Sequence, residues 1–166
     1  MTNTVLDMKA DVEALDTGID GRSELAGQLA DCLADTMMLM IKTQGYHWNV
    51  VGPMFHALHK MTEEQYRDLF TAADDLAERV RALGHPAPTG VGELQRLSAV
   101  DDETEVPTAE RMLERLIADH ERIARRFREV AENAEAARDI ATADLLTARI
   151  TTHEKTVWML KAMANG

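Results

Sequence analysis

The chain has 166 residues and a net charge of −11, with 29 acidic against 18 basic side chains and a single cysteine. It is long enough for one domain with a sizeable core, and so acidic a surface works against gripping a phosphate backbone, which needs Lys and Arg. The lone Cys32 excludes an internal disulfide and points to a reducing compartment, the cytoplasm; no basic-then-apolar leader opens the chain, and the tight apolar run from Met37 to Ile41 is too short to span a bilayer.

Residues 1–22 mix Asp7, Asp11, Glu13, Asp16 and Asp20 with Lys9 and Arg22, and Gly18 and Gly21 break any helix there. We read them as an acidic tail, with the domain proper over residues 23–166. Ser23 is the predicted N-cap of a first long helix, with Glu24 in the first turn where the helix dipole favours it. Leu25, Leu29, Leu33, Met37, Met40 and Ile41 recur at helical spacing to about Asn49. Met37, Met38 and Met40 fit core filling better than a soft-metal site. Gly52-Pro53 breaks the chain, and a second long helix starts near Met54 or Phe55. Its apolar set is Phe55, Leu58, Met61, Leu69, Phe70, Ala73, Leu76, Ala77 and Val80, and Gly84 closes it at the position after the C-cap.

A loop over residues 85–92, a short helical piece over 93–98 and an acidic turn over 101–105 follow. Thr108 is the predicted cap of a third long helix carrying Met112, Leu113, Leu116, Ile117, Ile123, Phe127 and Val130. After a break near residues 135–138, a fourth runs from about Asp139 to Met163, with Leu146, Ile150, Val157, Leu160 and Met163 inward. Four amphipathic helices with one long connection read as an all-α four-helix bundle in which the second and third long helices can run parallel. A connection of that length with its own short helix fits packing at a subunit contact.

Chemistry concentrates in the second helix. His59 and Glu63 are an i,i+4 pair, as are Asp74 and Glu78, and all four side chains fall within roughly 100° of helix surface. His59 and Asp74 are nevertheless separated by roughly 22 Å along the axis, while metal ligands must converge to about 2.0–2.2 Å from an ion. The pairs share one midpoint, between Asp68 and Leu69. If the helix crosses a second copy antiparallel on a two-fold axis there, His59 meets Glu78 of the other copy and Glu63 meets Asp74, giving two identical sites. Imidazole with carboxylate suits iron, manganese or zinc. Alone, two acidic i,i+4 pairs would be an ordinary solvated face.

His47-Trp48-Asn49, Gly52, Phe55, Leu58-His59, Asp74, Ala77-Glu78-Arg79 and Leu83-Gly84 resemble the signature of the Dps family, the mini-ferritins named as DNA-binding proteins from starved cells. His-Trp-Asn with a histidine twelve residues on, then Asp and Glu fifteen and nineteen further, is a specific pattern. The resemblance implies a ferritin-like bundle with a short extra helix in the long connection, assembled as a hollow homo-dodecamer. It implies ferroxidase chemistry: Fe(II) is oxidised at two-fold interfaces, typically by hydrogen peroxide, and Fe(III) is stored inside, protecting against oxidative stress. Carried over, His47, His59 and Glu63 come from one subunit and Asp74 and Glu78 from its partner. The family more often has Asp where Glu63 stands. Trp48 is placed by the resemblance to intercept electrons or radicals, or else packs at an interface. Asp139 and Asp144 are similar to acidic residues of the family's three-fold iron pores, although helix N-terminal charge explains Asp139 equally. His56, His85, His120 and His153 receive no role.

The main alternative is a nucleoid-associated protein that protects DNA by coating it. Relatives that do so use a lysine-rich tail, whereas residues 1–22 here are acidic, so direct DNA binding is disfavoured. A structural zinc bundle would favour Cys and His ligands, and a larger ferritin would carry Glu-x-x-His, which none of the six histidines satisfies.

Overall fold

The computed structural model describes residue 13 and residues 15–164, so most of the expected acidic tail lies outside the described residues. Five helices follow: α1 (Arg22–Asn49), α2 (Phe55–Ala82), α3 (Val91–Leu97), α4 (Ala109–Ala136) and α5 (Ile140–Ala164). Cross-helix bonds fix how they run. Lys42, Asp35 and Gln28 of α1 reach Asp119, Arg126 and Asn133 of α4, so these helices are antiparallel. Arg79 and Asp68 of α2 reach Thr142 and Arg149 of α5, again antiparallel. With α1–α2 and α4–α5 packed as neighbours, the ring order is α1, α2, α5, α4, and α2 and α4 run parallel. The long connection is therefore a crossover, as a ferritin-like bundle requires.

Local chemistry explains several helix ends. Thr108 caps α4, its side chain accepting from the Arg111 N–H. Gly84, at φ 89°, closes α2: the His85 N–H bonds the Val80 carbonyl and the Gly84 N–H bonds that of Arg81, a Schellman ending. Arg138 closes α4 in the same way at φ 62°, where glycine would avoid the steric cost. Ser23 is not the α1 cap. The helix starts one residue earlier, behind Gly21 in the left-handed region, and has no side-chain cap.

The centre of the bundle is packed with Leu29, Leu39, Leu58, Leu69, Leu76, Met112, Leu116, Ile123, Phe127 and Leu146, all fully buried. Two buried ion pairs tie α1 to α4. Lys42 Nζ lies 2.6 Å from Asp119. Asp35 accepts from Arg126, the Ser98 hydroxyl and the Ala99 N–H, which anchors the end of α3. Three residues expected inside are not, Ile41 of α1 among them at 45% exposed. Phe55 is half exposed and Phe70 is 67% exposed, because the apolar stripe of α2 is wider than the bundle can cover.

Candidate metal site

His47 lies in the last turn of α1 and His59 in the second turn of α2, brought together by the tight link through Gly52 at φ 92°. Their rings stack with centroids 3.9 Å apart. The Nδ1 of His47 lies 2.8 Å from the main-chain oxygen of His59, and the Nδ1 of His59 lies 2.8 Å from that of His47. A carbonyl only accepts, so both Nδ1 atoms carry a proton, and in the neutral tautomer this selects each Nε2 keeps a bare lone pair, the form a metal ligand needs. The His47 carbonyl belongs to the last turn of α1 and lacks an intrahelical partner, which the His59 ring supplies. Phe55 stacks on His59 at 5.0 Å and Tyr66 meets His47 edge-on at 5.3 Å. The histidine pair is thus locked between aromatic rings.

Glu63 follows one turn after His59. Its oxygens are held by Lys60 at 3.1 Å and Arg67 at 2.7 Å, and these cations, Lys60 first, keep its carboxyl below the usual range. This ion-pair shell escaped the sequence reading, although the i+4 spacing of Glu63 and Arg67 signals it. Asp74 and Glu78 are exposed at the far end of the same face, and among the described residues neither forms an ion pair. No three His, Cys, Asp or Glu side chains among the described residues converge well enough to hold a metal. Within one subunit the candidate ligands therefore stay apart, at opposite ends of α2. Between them Phe70 projects into solvent, within two residues of the midpoint of the histidine and acid pairs.

The other candidates separate clearly. Trp48 turns away from the histidine stack. Its exposed indole borders a cavity of about 450 Å³ lined also by Ile41, Lys42, Tyr46, Glu103 and Val106. Tyr46 bonds Glu103 there, and burial together with that carboxylate raises the phenol's pKa. Asp139 is spent on structure: it is buried, caps α5 by accepting from the Thr142 N–H, and pairs with Arg79 at 2.7 Å. Asp144 stays exposed near the start of α5.

Residues 26–166 match the ferritin-like domain family. A low temperature-induced protein of Nostoc sp. is 40% identical over 136 residues, 81% of this chain and 76% of that protein. DNA protection during starvation protein 2 of Bacillus anthracis is 35% identical over 133 residues, 80% of this chain and 91% of its own. The crystal structure of a Dps protein from Vibrio cholerae O1, described as a member of a broad superfamily of ferritin-like diiron-carboxylate proteins, aligns with a TM-score of 0.86 at 28% identity. That alignment covers 93% of this chain and 99% of the other.

Proposed function

The chain belongs to the Dps family of ferritin-like proteins, and from that premise we propose that it is a ferroxidase and iron store whose sites are completed across a two-fold contact. Each site takes His47, His59 and Glu63 from one subunit and Asp74 and Glu78 from the other. The observation that supports this reading is the exposed Phe70 midway between the histidine end and the acidic end of α2. A charged or polar centre would argue for solvent, while a large exposed aromatic at the midpoint argues for a covering copy.

Iron is the substrate. The two bare Nε2 atoms favour Fe(II), and the carboxylates favour Fe(III), whose extra charge they offset. Two ferrous ions each give up one electron; hydrogen peroxide accepts both with two protons and leaves as two waters. No side chain acts as a nucleophile. Lys60 and Arg67 take one bond on each oxygen of Glu63, which leaves it further lone pairs for an ion. Twelve subunits enclosing the ferric product, and a cytoplasmic setting, complete the proposal. Among the described residues no helix is long and apolar enough to cross a membrane. Direct coating of DNA is not part of it, given the net charge of −11.

The test is Fe(II) with hydrogen peroxide on purified protein, followed by the absorbance of the ferric product. Oxidation well above the buffer rate, falling to that rate in His59→Ala with Glu78→Ala, supports the proposal. A wild-type rate no faster than buffer overturns it.

A further inference from the structure

Away from that face, the bundle core contains a second pair of histidines that the iron chemistry does not use. His120 of α4 and His153 of α5 are 2% and 1% exposed, and their Nδ1 atoms lie 2.8 Å apart. Phe127 sets its ring edge-on against His153 at 5.4 Å, and Leu116, Ile123, Leu146 and Ile150 of the same two helices are buried around them. Among the described residues neither Nε2 atom has a hydrogen-bond partner, and the buried Nε of Arg149 has none either. Unpaired polar atoms in a packed core cost roughly 1–3 kcal/mol each, so simple packing does not account for the pair. Metal binding does not account for it: among the described residues no third donor converges on the two rings, and the Arg149 cation lies beside them.

We propose that His120 and His153 form an acid-operated latch between α4 and α5, closed while the pair is neutral and forced open by proton uptake. The proton arithmetic gives the device. Two neutral imidazoles carry two N–H protons on four nitrogens. One Nδ1–H donates to the other Nδ1, leaving one Nε2–H and one bare Nε2. A third proton must go to that bare Nε2, creating an imidazolium whose new N–H has nothing to bond. A fourth must go to the accepting Nδ1, which ends the hydrogen bond and sets two N–H groups against each other.

The surrounding charges oppose both steps. Arg149 of α5 repels a charged ring, and the nearby Asp68 carboxylate of α2 is already spent on Arg149 with both oxygens, at 3.0 and 2.6 Å. The buried charges of α1, Asp35 and Lys42, are committed to Arg126 and Asp119 of α4. Burial, then Arg149, pushes His120 down to about 3; burial, then His120 and Arg149, lowers His153 as well. An open form, with both rings in water, titrates near the ordinary histidine value of about 6.5. Below that pH the open form takes up protons the closed form refuses, so the closed form loses ground as pH falls from about 6.5 toward 3. The open-to-closed ratio then rises by up to about tenfold per pH unit for each histidine.

Hydrogen exchange on the assembled wild-type protein between pH 7.5 and 5.5, corrected for intrinsic rates, tests the latch. The expected result is acceleration of tenfold or more in α4 and α5 around residues 116–127 and 146–157, ahead of the core of α1. His120→Leu with His153→Leu should abolish the acceleration, and the single variant His153→Gln should roughly halve it on a logarithmic scale. Flat wild-type exchange over this range overturns the proposal whatever the variants do. So does an acceleration that His153→Gln leaves unchanged, since the acid sensitivity would then arise elsewhere.

Discussion

His47 and His59 are bonded crosswise, each ring donating to the other's main-chain carbonyl at 2.8 Å. The same contact that leaves two Nε2 atoms out of these bonds also ties the end of α1 to the start of α2. Substituting His59 should therefore have two effects. His59→Ala should lower Fe(II) affinity at least tenfold and also lower the melting temperature by about 2–4 °C, as the loss of roughly 1 kcal/mol does in a domain of this size. Titration with Fe(II) under anaerobic conditions and a thermal melt read the two separately; unchanged affinity would remove His59 from the site.

Sharing of sites between subunits has a distinctive genetic signature. His59→Ala and Glu78→Ala should each be inactive alone. In a mixed dimer of the two, one site loses both ligands while the other keeps both. Random co-assembly of equal amounts should thus restore about a quarter of wild-type oxidation, since half the dimers are mixed and each has one intact site of two. Mixtures as inactive as the separate variants would place all the ligands within one subunit.

Phe70 offers a test of the contact itself. Phe70→Glu sets two carboxylates near the two-fold axis in place of two apolar rings, and like charges across an interface are strongly unfavourable. Native mass spectrometry should show smaller species. Helical content by circular dichroism should not change, because the side chain is 67% exposed within its own subunit.

Asp139 links α5 to α2, and its contribution depends on pH. Burial raises its pKa, but bonds from Arg79 and Thr142 outweigh that and hold the folded-state value below the usual carboxylate range. Stabilisation from this group is therefore complete above about pH 4, the ordinary unfolded value, and is lost as pH falls through the lower folded value. Asp139→Asn should cost about 1–3 kcal/mol at pH 7 in urea unfolding, with the difference from wild type shrinking toward pH 3. A difference that persists undiminished in acid would show that the carboxylate charge is not what matters.

Much of this architecture is legible in the chain. The four long helices, the Thr108 cap and the Gly84 ending follow from local rules, and the α2 spacing shows that Asp74 and Glu78 cannot join His59 within one subunit. Phe70 marks where such reading stops. Periodicity assigns it to an apolar stripe, but in the proposed dimer α2 needs one apolar surface for its own bundle and another for its partner, and a pattern along one helix does not distinguish them. Ser23 fails as a cap because Gly21 supplies a left-handed entry one residue before the helix. His120 and His153 lie 33 residues apart on different helices. Their encounter is a product of tertiary packing, and nothing local announces it.

The unbroken run of α2 from Phe55 to Ala82 makes it a ruler as well as a wall. Its two halves are held in phase by nothing except the count of residues between Glu63 and Asp74. Adding or deleting one residue there would turn the acidic end by about 100° and slide it by about 1.5 Å, dismantling both of the proposed paired sites together. This protein can therefore tolerate changes of side chain along that stretch far better than a change in its length.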